Sequence, residues 1–141
     1  MADHIPTVAS IYEAFGRGDV PAILATLSDD VKWEEWADNR AQQAGVPWLQ
    51  RRHGKAGARD FFELAGHFQI HAFQVLSLMA GGEQVVAEVL IDATAPTGAR
   101  YRDEELHLWT FDGEGKVARL RHYVDTAKHM DAARGAAGVE G

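Results

Sequence analysis

Apolar residues recur every three or four positions in three segments of the first half of the chain, which predicts three amphipathic helices. The apolar positions are Val8, Ile11, Tyr12 and Phe15 in the first, Val20, Ile23, Leu24 and Leu27 in the second, and Ala58, Phe61, Phe62 and Ala65 in the third. Asp19 is placed to cap the second helix, and Pro21 fits its first turn, where a missing N–H is tolerated.

Alternation of apolar and polar residues predicts strands over much of the remaining chain. A short strand is expected over residues 31–36, with Val31, Trp33 and Glu35 on one face. Four longer strands are expected over residues 69–79, 83–94, 101–111 and 116–124, separated by turns that contain Gly, Pro or Asp. Asp125 is then placed to cap a short final helix.

This order of elements predicts an α+β fold. Three N-terminal helices would pack on a strongly curved, mixed or antiparallel sheet to form a cone, with a short C-terminal helix, and the cone's interior is the expected ligand site. A length of 141 residues favours one domain, expected over residues 1–134, with a flexible Gly/Ala-rich tail over residues 135–141. Residues 37–53 are polar and irregular, and the sequence leaves open whether they form a lid.

The composition excludes several classes of function. The net charge is −7 and no Lys/Arg stripe offsets it, so a nucleic-acid partner is not expected. The chain has no cysteine, which excludes disulfides, thiolate nucleophiles and Cys-ligated zinc. We find neither a secretory signal nor an apolar run of about 20 residues, so we expect a cytoplasmic protein with no membrane partner.

Two histidines provide the candidate chemistry. His107 and His122 lie on neighbouring predicted strands, each on an apolar face, and a buried imidazole must find hydrogen-bond partners. Glu35 shares a predicted face with Trp33, and apolar surroundings would raise the pKa of its carboxyl group. We therefore select Glu35, His107 and His122 as catalytic candidates. The alternatives are a solvent-exposed Glu35 in a salt bridge and structural histidines bonded to backbone carbonyls.

Other side chains are expected to surround the substrate. The predicted substrate-binding residues are Tyr12, Trp33, Trp48, Glu88, Trp109, Leu120 and Val124. Two imidazoles and a carboxylate could bind a metal, but no metal-binding motif is present, so we expect neither a metal nor another cofactor. The aligned apolar residues Val85, Ala87, Val89 and Ile91 are expected on the outer sheet face, where they would support a homodimer.

Several local strings resemble the SnoaL-like branch of the NTF2-like superfamily, which also contains ketosteroid isomerases and limonene epoxide hydrolases. They are residues 11–20 (IYEAFGRGDV), residues 27–33 (LSDDVKW), Gly54 with Phe61-Phe62, and residues 115–117 and 121–126 (GKV and RHYVDT). The order and spacing of these strings carry the resemblance, and together they extend over residues 8 to 130. The resemblance implies the cone fold, whereas function varies widely among members of this superfold.

The resemblance also assigns positions to the known catalytic groups. The isomerase base would correspond to Glu35 and its oxyanion-hole aspartate to His107, while its oxyanion tyrosine falls at or beside Ile11, next to Tyr12. The catalytic aspartate of the epoxide hydrolases corresponds to His122. Their central-strand Arg and Asp correspond to Glu88 and Leu90, so that set is absent. Scytalone dehydratase, which uses pocket histidines and tyrosines, is the closer chemical analogue.

The sequence thus favours a cofactor-independent isomerase or lyase, of the ketosteroid isomerase or polyketide cyclase kind. It would abstract a proton next to a carbonyl of a small hydrophobic metabolite, with Glu35 as base and the histidines as acid or oxyanion donors. The alternative is a module of the same fold that does not catalyse. Such a module would either bind a small hydrophobic ligand or serve as a structural dimer.

Overall fold

A computed structural model describes residues 3–135 of the chain. The helices are α1 (Ile5–Gly16), α2 (Val20–Leu24), α3 (Arg40–Gln43), α4 (Gly54–Ala65) and α5 (Thr126–Ala133), with one 3₁₀ turn (Pro47–Leu49). The strands are β1 (Leu27–Trp33), β2 (Arg52–His53), β3 (Gln69–Gly81), β4 (Gln84–Thr94), β5 (Arg100–Phe111) and β6 (Val117–Tyr123). Asp19 and Asp125 cap α2 and α5 as predicted, each accepting a backbone N–H three residues ahead.

The six strands form one mixed sheet in the order β2-β1-β6-β5-β4-β3. Strands β3 to β6 are linked by antiparallel pairing of successive strands, whereas β1 pairs with β6 in parallel. Because parallel neighbours cannot be joined by a tight turn, helix α4 and the three long strands lie between them in the chain. The sheet is curled without closing, so β3 remains a free edge.

The concave face of the sheet carries the core and the helices. Along β5, buried residues alternate strictly with more exposed ones. The buried set is Tyr101, Asp103, Glu105, His107, Trp109 and Phe111. Trp109 packs in one apolar cluster with α1, α2 and α4, and Tyr101 in a second cluster with the 3₁₀ turn and α5. Burial of polar groups among these apolar ones marks the middle of β5 as the site region.

The predicted cone fold is confirmed, and the four long strands match their predicted limits to within two residues. Differences lie in β1 and in the segment after it. Strand β1 ends at Trp33 rather than at residue 36, because the next residue, Glu34, adopts a left-handed backbone with φ of 57°. Residues 37–53 contain α3, the 3₁₀ turn and β2. Residues 136–141 of the predicted tail lie outside the described residues.

The prediction for the two faces of β4 is wrong. Val85, Ala87 and Val89 pair with Trp109, His107 and Glu105 of β5, so they lie on the inner face and are fully buried. Ile91 lies on the same face. Both faces of β4 are apolar, so alternation alone could not show which one points inward. No helix among residues 3–135 is long and apolar enough to cross a membrane.

Candidate active site

A cavity lies between the concave face of the sheet and the helices, and its walls are mainly aromatic. The space open to the centre of a water molecule inside it is about 100 Å³, and it is partly open to the surface. The predicted residues Tyr12, Trp33, Trp48, Trp109, Leu120, Val124, His107 and His122 all line it. They are joined by Phe15, Phe61, Phe62, Phe68, Phe73, Glu105 and His129, among others. Such a cavity suits a hydrophobic ligand.

His122 forms a hydrogen bond with the buried carboxylate of Glu34 at the cavity wall. The carboxylate of Glu34 is 0% exposed and contacts Nδ1 of the His122 ring. It also accepts the backbone N–H of His122, with 3.3 Å to each oxygen, and the indole N–H of Trp36 at 2.9 Å. Because a carboxylate only accepts hydrogen bonds, Nδ1 of His122 carries a proton. The pair fixes the orientation of the imidazole.

The second ring nitrogen of His122, Nε2, is available to react with a ligand. Among residues 3–135, Nε2 of His122 makes no hydrogen bond, and the ring lines the cavity. Burial lowers the pKa of His122, but the charge of Glu34 and the hydrogen bond to it outweigh burial and raise the pKa above its usual value. In the neutral ring, the lone pair on Nε2 can accept a proton from a ligand, and the imidazolium that forms is stabilised by Glu34.

Glu35 lies outside the cavity, which corrects the prediction that it faces inward. Its carboxylate pairs with the exposed side chain of Arg51 at 2.7 Å, and Nζ of Lys32 lies 3.9 Å away. The cause is the left-handed conformation of Glu34, which breaks the alternation of the strand and turns Glu34 inward instead. The salt-bridge alternative for Glu35 describes its position correctly.

His107 faces the same cavity, but both of its ring nitrogens are occupied. Its Nε2 lies 3.0 Å from Oε1 of Glu105, and its Nδ1 lies 2.7 Å from the Tyr12 hydroxyl. Trp109 donates its indole N–H to the oxygen of Tyr12 at 3.1 Å. Burial and the nearby charge of His122 lower the pKa of His107, which favours the neutral ring. Nε2 then donates to Glu105, and Nδ1 accepts from Tyr12.

The two histidines touch each other directly. Residues His107 and His122 are paired across β5 and β6, and their ring centroids are 4.5 Å apart at an interplanar angle of 80°. His107 is therefore a fixed, neutral wall beside the reactive ring of His122. Its partners are side chains, so the alternative of a bond to a backbone carbonyl is not observed.

A second buried network, which the sequence analysis missed, continues from Glu105. Nε2 of His129 lies 2.9 Å from Asp103 and 3.0 Å from Glu105, and Trp48 donates its indole N–H to Nδ1 of the same ring at 2.9 Å. Asp103 and Glu105 are four and two residues before His107, so the period of the strand could have identified them. His129 lies in α5 and carries no comparable sequence signal.

Burial and hydrogen bonding act in opposite directions on these groups. Burial raises the pKa of Glu105, but hydrogen bonds from His107 and His129 outweigh it and hold the pKa well below its usual range. Burial lowers the pKa of His129, but its bonds to Asp103 and Glu105 raise it to about 9. Burial also raises the pKa of Asp103, and the charge of Glu105 adds to this effect. The bonds from Nε2 to Asp103 and Glu105 stabilise the protonated ring, whereas the hydrogen bond from Trp48 to Nδ1 forms only with the neutral ring.

The ligand atoms of Asp103, Glu105 and His129 lie within 4.8 Å of one another, a spacing that could hold a metal ion. The hydrogen bonds argue against this use. Trp48 donates to Nδ1 of His129, so a metal on Nε2 would require an imidazole without any proton. The carboxylates of Asp103 and Glu105 are also already bonded to histidine ring nitrogens. The three residues fit a hydrogen-bonded network better than a metal site.

Glu88 does not line the cavity, which corrects its assignment as a substrate-binding residue. It pairs with Leu106 of β5 and Ser77 of β3 and is exposed on the outer face of the sheet. Its neighbours Ala87 and Val89 are the inward residues. Glu88 was misassigned for the same reason as the two faces of β4. Both faces of this strand are rich in apolar residues, so the sequence does not show which one is buried.

Comparison with known proteins agrees with this architecture. An NTF2-like protein of unknown function from Burkholderia pseudomallei superposes with a TM-score of 0.75 at 24% identity, covering 94% of this chain and 98% of that one. TerC, crystallised with polyporic acid, superposes with a TM-score of 0.72 at 20% identity, covering 93% of this chain and 98% of TerC. SalBIII is an epoxide hydrolase/cyclase-like enzyme of pyran ring formation in the polyether salinomycin. It superposes with a TM-score of 0.66 at 20% identity, covering 86% of this chain and 89% of SalBIII.

These likenesses establish the fold. A search of curated proteins finds no match. The model of the SnoaL-like domain family, however, matches residues 8–120, which is most of the chain. That stretch includes most of α1, Glu34, His107 and strands β1 to β5, and it ends within β6, two residues before His122. The protein therefore belongs to the SnoaL-like family and has the NTF2-like fold.

Proposed function

We propose that this protein is a cofactor-independent isomerase or cyclase in which His122, supported by Glu34, is the acid–base group. The observation that carries the proposal is the buried Glu34–His122 pair, with the unbonded Nε2 of His122 in an aromatic cavity. A carboxylate that holds one imidazole nitrogen and leaves the other free is an efficient arrangement for proton transfer. The proposed base thus moves from Glu35, the sequence-based choice, to His122.

The proposed reaction begins with proton abstraction next to a carbonyl. A C–H proton moves to Nε2 of His122, its electron pair forms the enolate, and Glu34 stabilises the imidazolium. Return of the proton to another carbon completes an isomerisation. Alternatively, the enolate carbon attacks a second carbonyl, a C–C bond forms, and His122 protonates the new alkoxide, which completes a cyclisation. In a lyase variant, the enolate of a β-hydroxy ketone would break its Cβ–O bond, and the leaving hydroxyl group would take the proton from His122 and depart as water.

Trp33 is proposed to bind the oxygen of the substrate. It lines the cavity and is 1% exposed, yet among residues 3–135 its indole N–H has no hydrogen-bond partner. A buried donor without a partner loses the free energy of a hydrogen bond, which a ligand oxygen would restore. The Tyr12 hydroxyl is less suited to this role, because it already donates to His107.

Deuterium exchange tests the proposal without knowledge of the substrate. Hydrophobic ketones such as 2-tetralone are incubated with the protein in D₂O, and loss of the α-proton signal is followed by NMR. We expect catalysed exchange that His122→Gln lowers by about 10²- to 10⁴-fold, the usual contribution of a general base. Glu34→Gln should also slow exchange, because the imidazolium loses its counter-charge.

Glu35→Gln is the matched control, since it removes the adjacent carboxylate, which lies outside the cavity. Exchange rates equal to those of the unmodified protein are expected. If ketones bind but none exchanges, the protein is a binding module. If Glu35→Gln is as damaging as Glu34→Gln, the assignment of the base is wrong.

We also propose a homodimer formed by the outer face of the sheet. Met79, Leu106 and Tyr123 on this face are 50%, 44% and 41% exposed, a large apolar area for side chains of a regular sheet. Charged residues such as Glu88 and Arg121 surround them, as at many interface rims. Sedimentation velocity should show a dimer that Leu106→Glu converts to a monomer. A monomeric unmodified protein would contradict the proposal.

A further inference from the structure

A second and larger space adjoins the cavity. It is a groove bounded by α1, the end of α4 and the inner face of β3, with about 840 Å³ open to the centre of a water molecule, against about 100 Å³ in the cavity. Its lining is apolar except for Glu13 and the Tyr12 hydroxyl, and residues Gly16, Gly18 and Gly66 form part of it. The three glycines leave room that side chains would otherwise fill.

The groove and the cavity share walls. Residues that line both are Tyr12, Phe15, Phe62, Ala65, Phe68, Ile70 and Phe73. The ring of Phe15 lines both spaces and lies 5.3 Å from the ring of Phe73 and 6.1 Å from that of Phe62, measured between centroids. Because the two spaces share these aromatic side chains as walls, an elongated ligand that passes the rings would extend from one space into the other.

The groove leaves apolar residues of the inner sheet face uncovered. Ile70 and Val75 of β3 are 39% and 37% exposed, while their partners on β4, Ala93 and Val89, are fully buried on the same face. The inner face is therefore covered by helices over β4 and left open over the edge strand β3. Contiguous exposed apolar surface of this kind favours an apolar occupant.

We propose that the ligand of this protein is an elongated molecule with a carbonyl at one end and an apolar chain at the other. The carbonyl lies in the cavity beside His122 and Trp33, and the chain passes Phe15 and Phe73 into the groove against Val75. This inference rests on the proposed function for the position of the carbonyl. The groove itself follows from the shared walls and the uncovered face of β3.

A series of 2-alkanones from 2-hexanone to 2-dodecanone tests the proposal, with affinity measured by titration calorimetry. Burial of each methylene should tighten binding by about fourfold once the chain reaches the groove. Gly16→Leu is the test variant. Gly16 lines the groove and a Cβ at this position meets no atom within 4 Å, so a larger side chain is expected to narrow the groove without a steric clash. It should abolish the gain for long ketones and leave 2-hexanone unchanged.

Gly113→Leu is the matched control, because a Cβ at this position in the β5–β6 turn also meets no atom within 4 Å. It should preserve the dependence on chain length. Affinity that is independent of chain length, or equally reduced by Gly16→Leu for all ketones, would overturn the proposal. So would loss of dimerisation in Gly16→Leu, which would assign the groove to a second copy. None of these results affects the deuterium-exchange test of His122.

Discussion

The conformation of one residue sets the chemistry of the candidate site. Glu34 has a φ of 57°, which costs a non-glycine residue roughly 1–2 kcal/mol. Several contacts hold it there: its backbone N–H donates to the carbonyl of Leu120 at 2.9 Å, and Arg121 donates to the carbonyl of Glu35 at 2.8 Å. Strained residues are typical of functional sites. Here the strain places a carboxylate behind His122 that a regular strand would turn to solvent.

Trp36 connects this carboxylate to the outside of the molecule. Its indole N–H donates to Glu34 at 2.9 Å, while its ring packs against Tyr123, with 4.9 Å between centroids, and lies 4.5 Å from the Arg121 guanidinium carbon. Arg121 and Tyr123 belong to β6, as does His122. Trp36 is therefore a positioning residue for the pair rather than a group that touches the ligand.

We predict that Trp36→Phe raises the pKa of His122 further. The variant keeps an aromatic ring but removes one donor to Glu34, so the negative charge of the carboxylate acts more strongly on the imidazolium. NMR titration of the His122 ring should show a rise of some tenths of a unit, up to about one unit. Glu34→Gln should shift the pKa in the opposite direction, because burial then dominates.

Tyr123→Phe is the control for this prediction, since it alters a neighbour of the Trp36 ring and leaves the indole N–H in place. Its His122 titration should match that of the unmodified protein. An unchanged titration curve in Trp36→Phe would mean that the indole N–H has no influence on the pair.

At the scale of elements, the strands show which parts of the site were predictable. The period of β5 places His107 and Trp109 on one face, and the same period extends to Glu105 and Asp103. Here the sequence pattern and the structure agree, because a central strand with one buried face must alternate. The two histidines meet because β5 and β6 pair in register across the Asp-Gly turn.

The end of β1 shows where such reasoning fails. Glu34 and Glu35 are chemically alike and adjacent, so the choice between them depended on the strand remaining regular. The left-handed residue arises from contacts with β6, which lies more than 80 residues away in the chain, and no local pattern encodes it. The faces of β4 were misassigned for a similar reason, since only its neighbours decide which apolar face is buried.

For the molecule as a whole, the buried network around His129 makes stability depend on pH. The folded-state pKa of His129, about 9, exceeds the unfolded value of 6.5. Its stabilising contribution is thus fully present below pH 6.5 and is lost as the pH rises through 9. Glu105, with a lowered pKa, contributes stability that is lost under acidic conditions instead.

We therefore predict that the free energy of unfolding falls between pH 6.5 and 9, by up to about 3 kcal/mol. Urea denaturation at a series of pH values measures it. The His129→Gln variant should have a lower free energy of unfolding at pH 6.5, and this free energy should depend less on pH than in the unmodified protein. His67→Gln, which removes an exposed histidine, serves as the control and should retain the slope. The same slope in His129→Gln would contradict this role of His129.

The parallel pairing of β1 with β6 has a consequence for how the site comes into being. Glu34 and His122 are 88 residues apart in the sequence, and the elements from α4 to β5 lie between them in the chain. A chain divided at the Gly81-Gly82 turn would carry one half of the pair on each fragment. Neither fragment alone contains both members of the Glu34–His122 pair, so recovery of the pair on mixing would report reassembly of the sheet by fragment complementation.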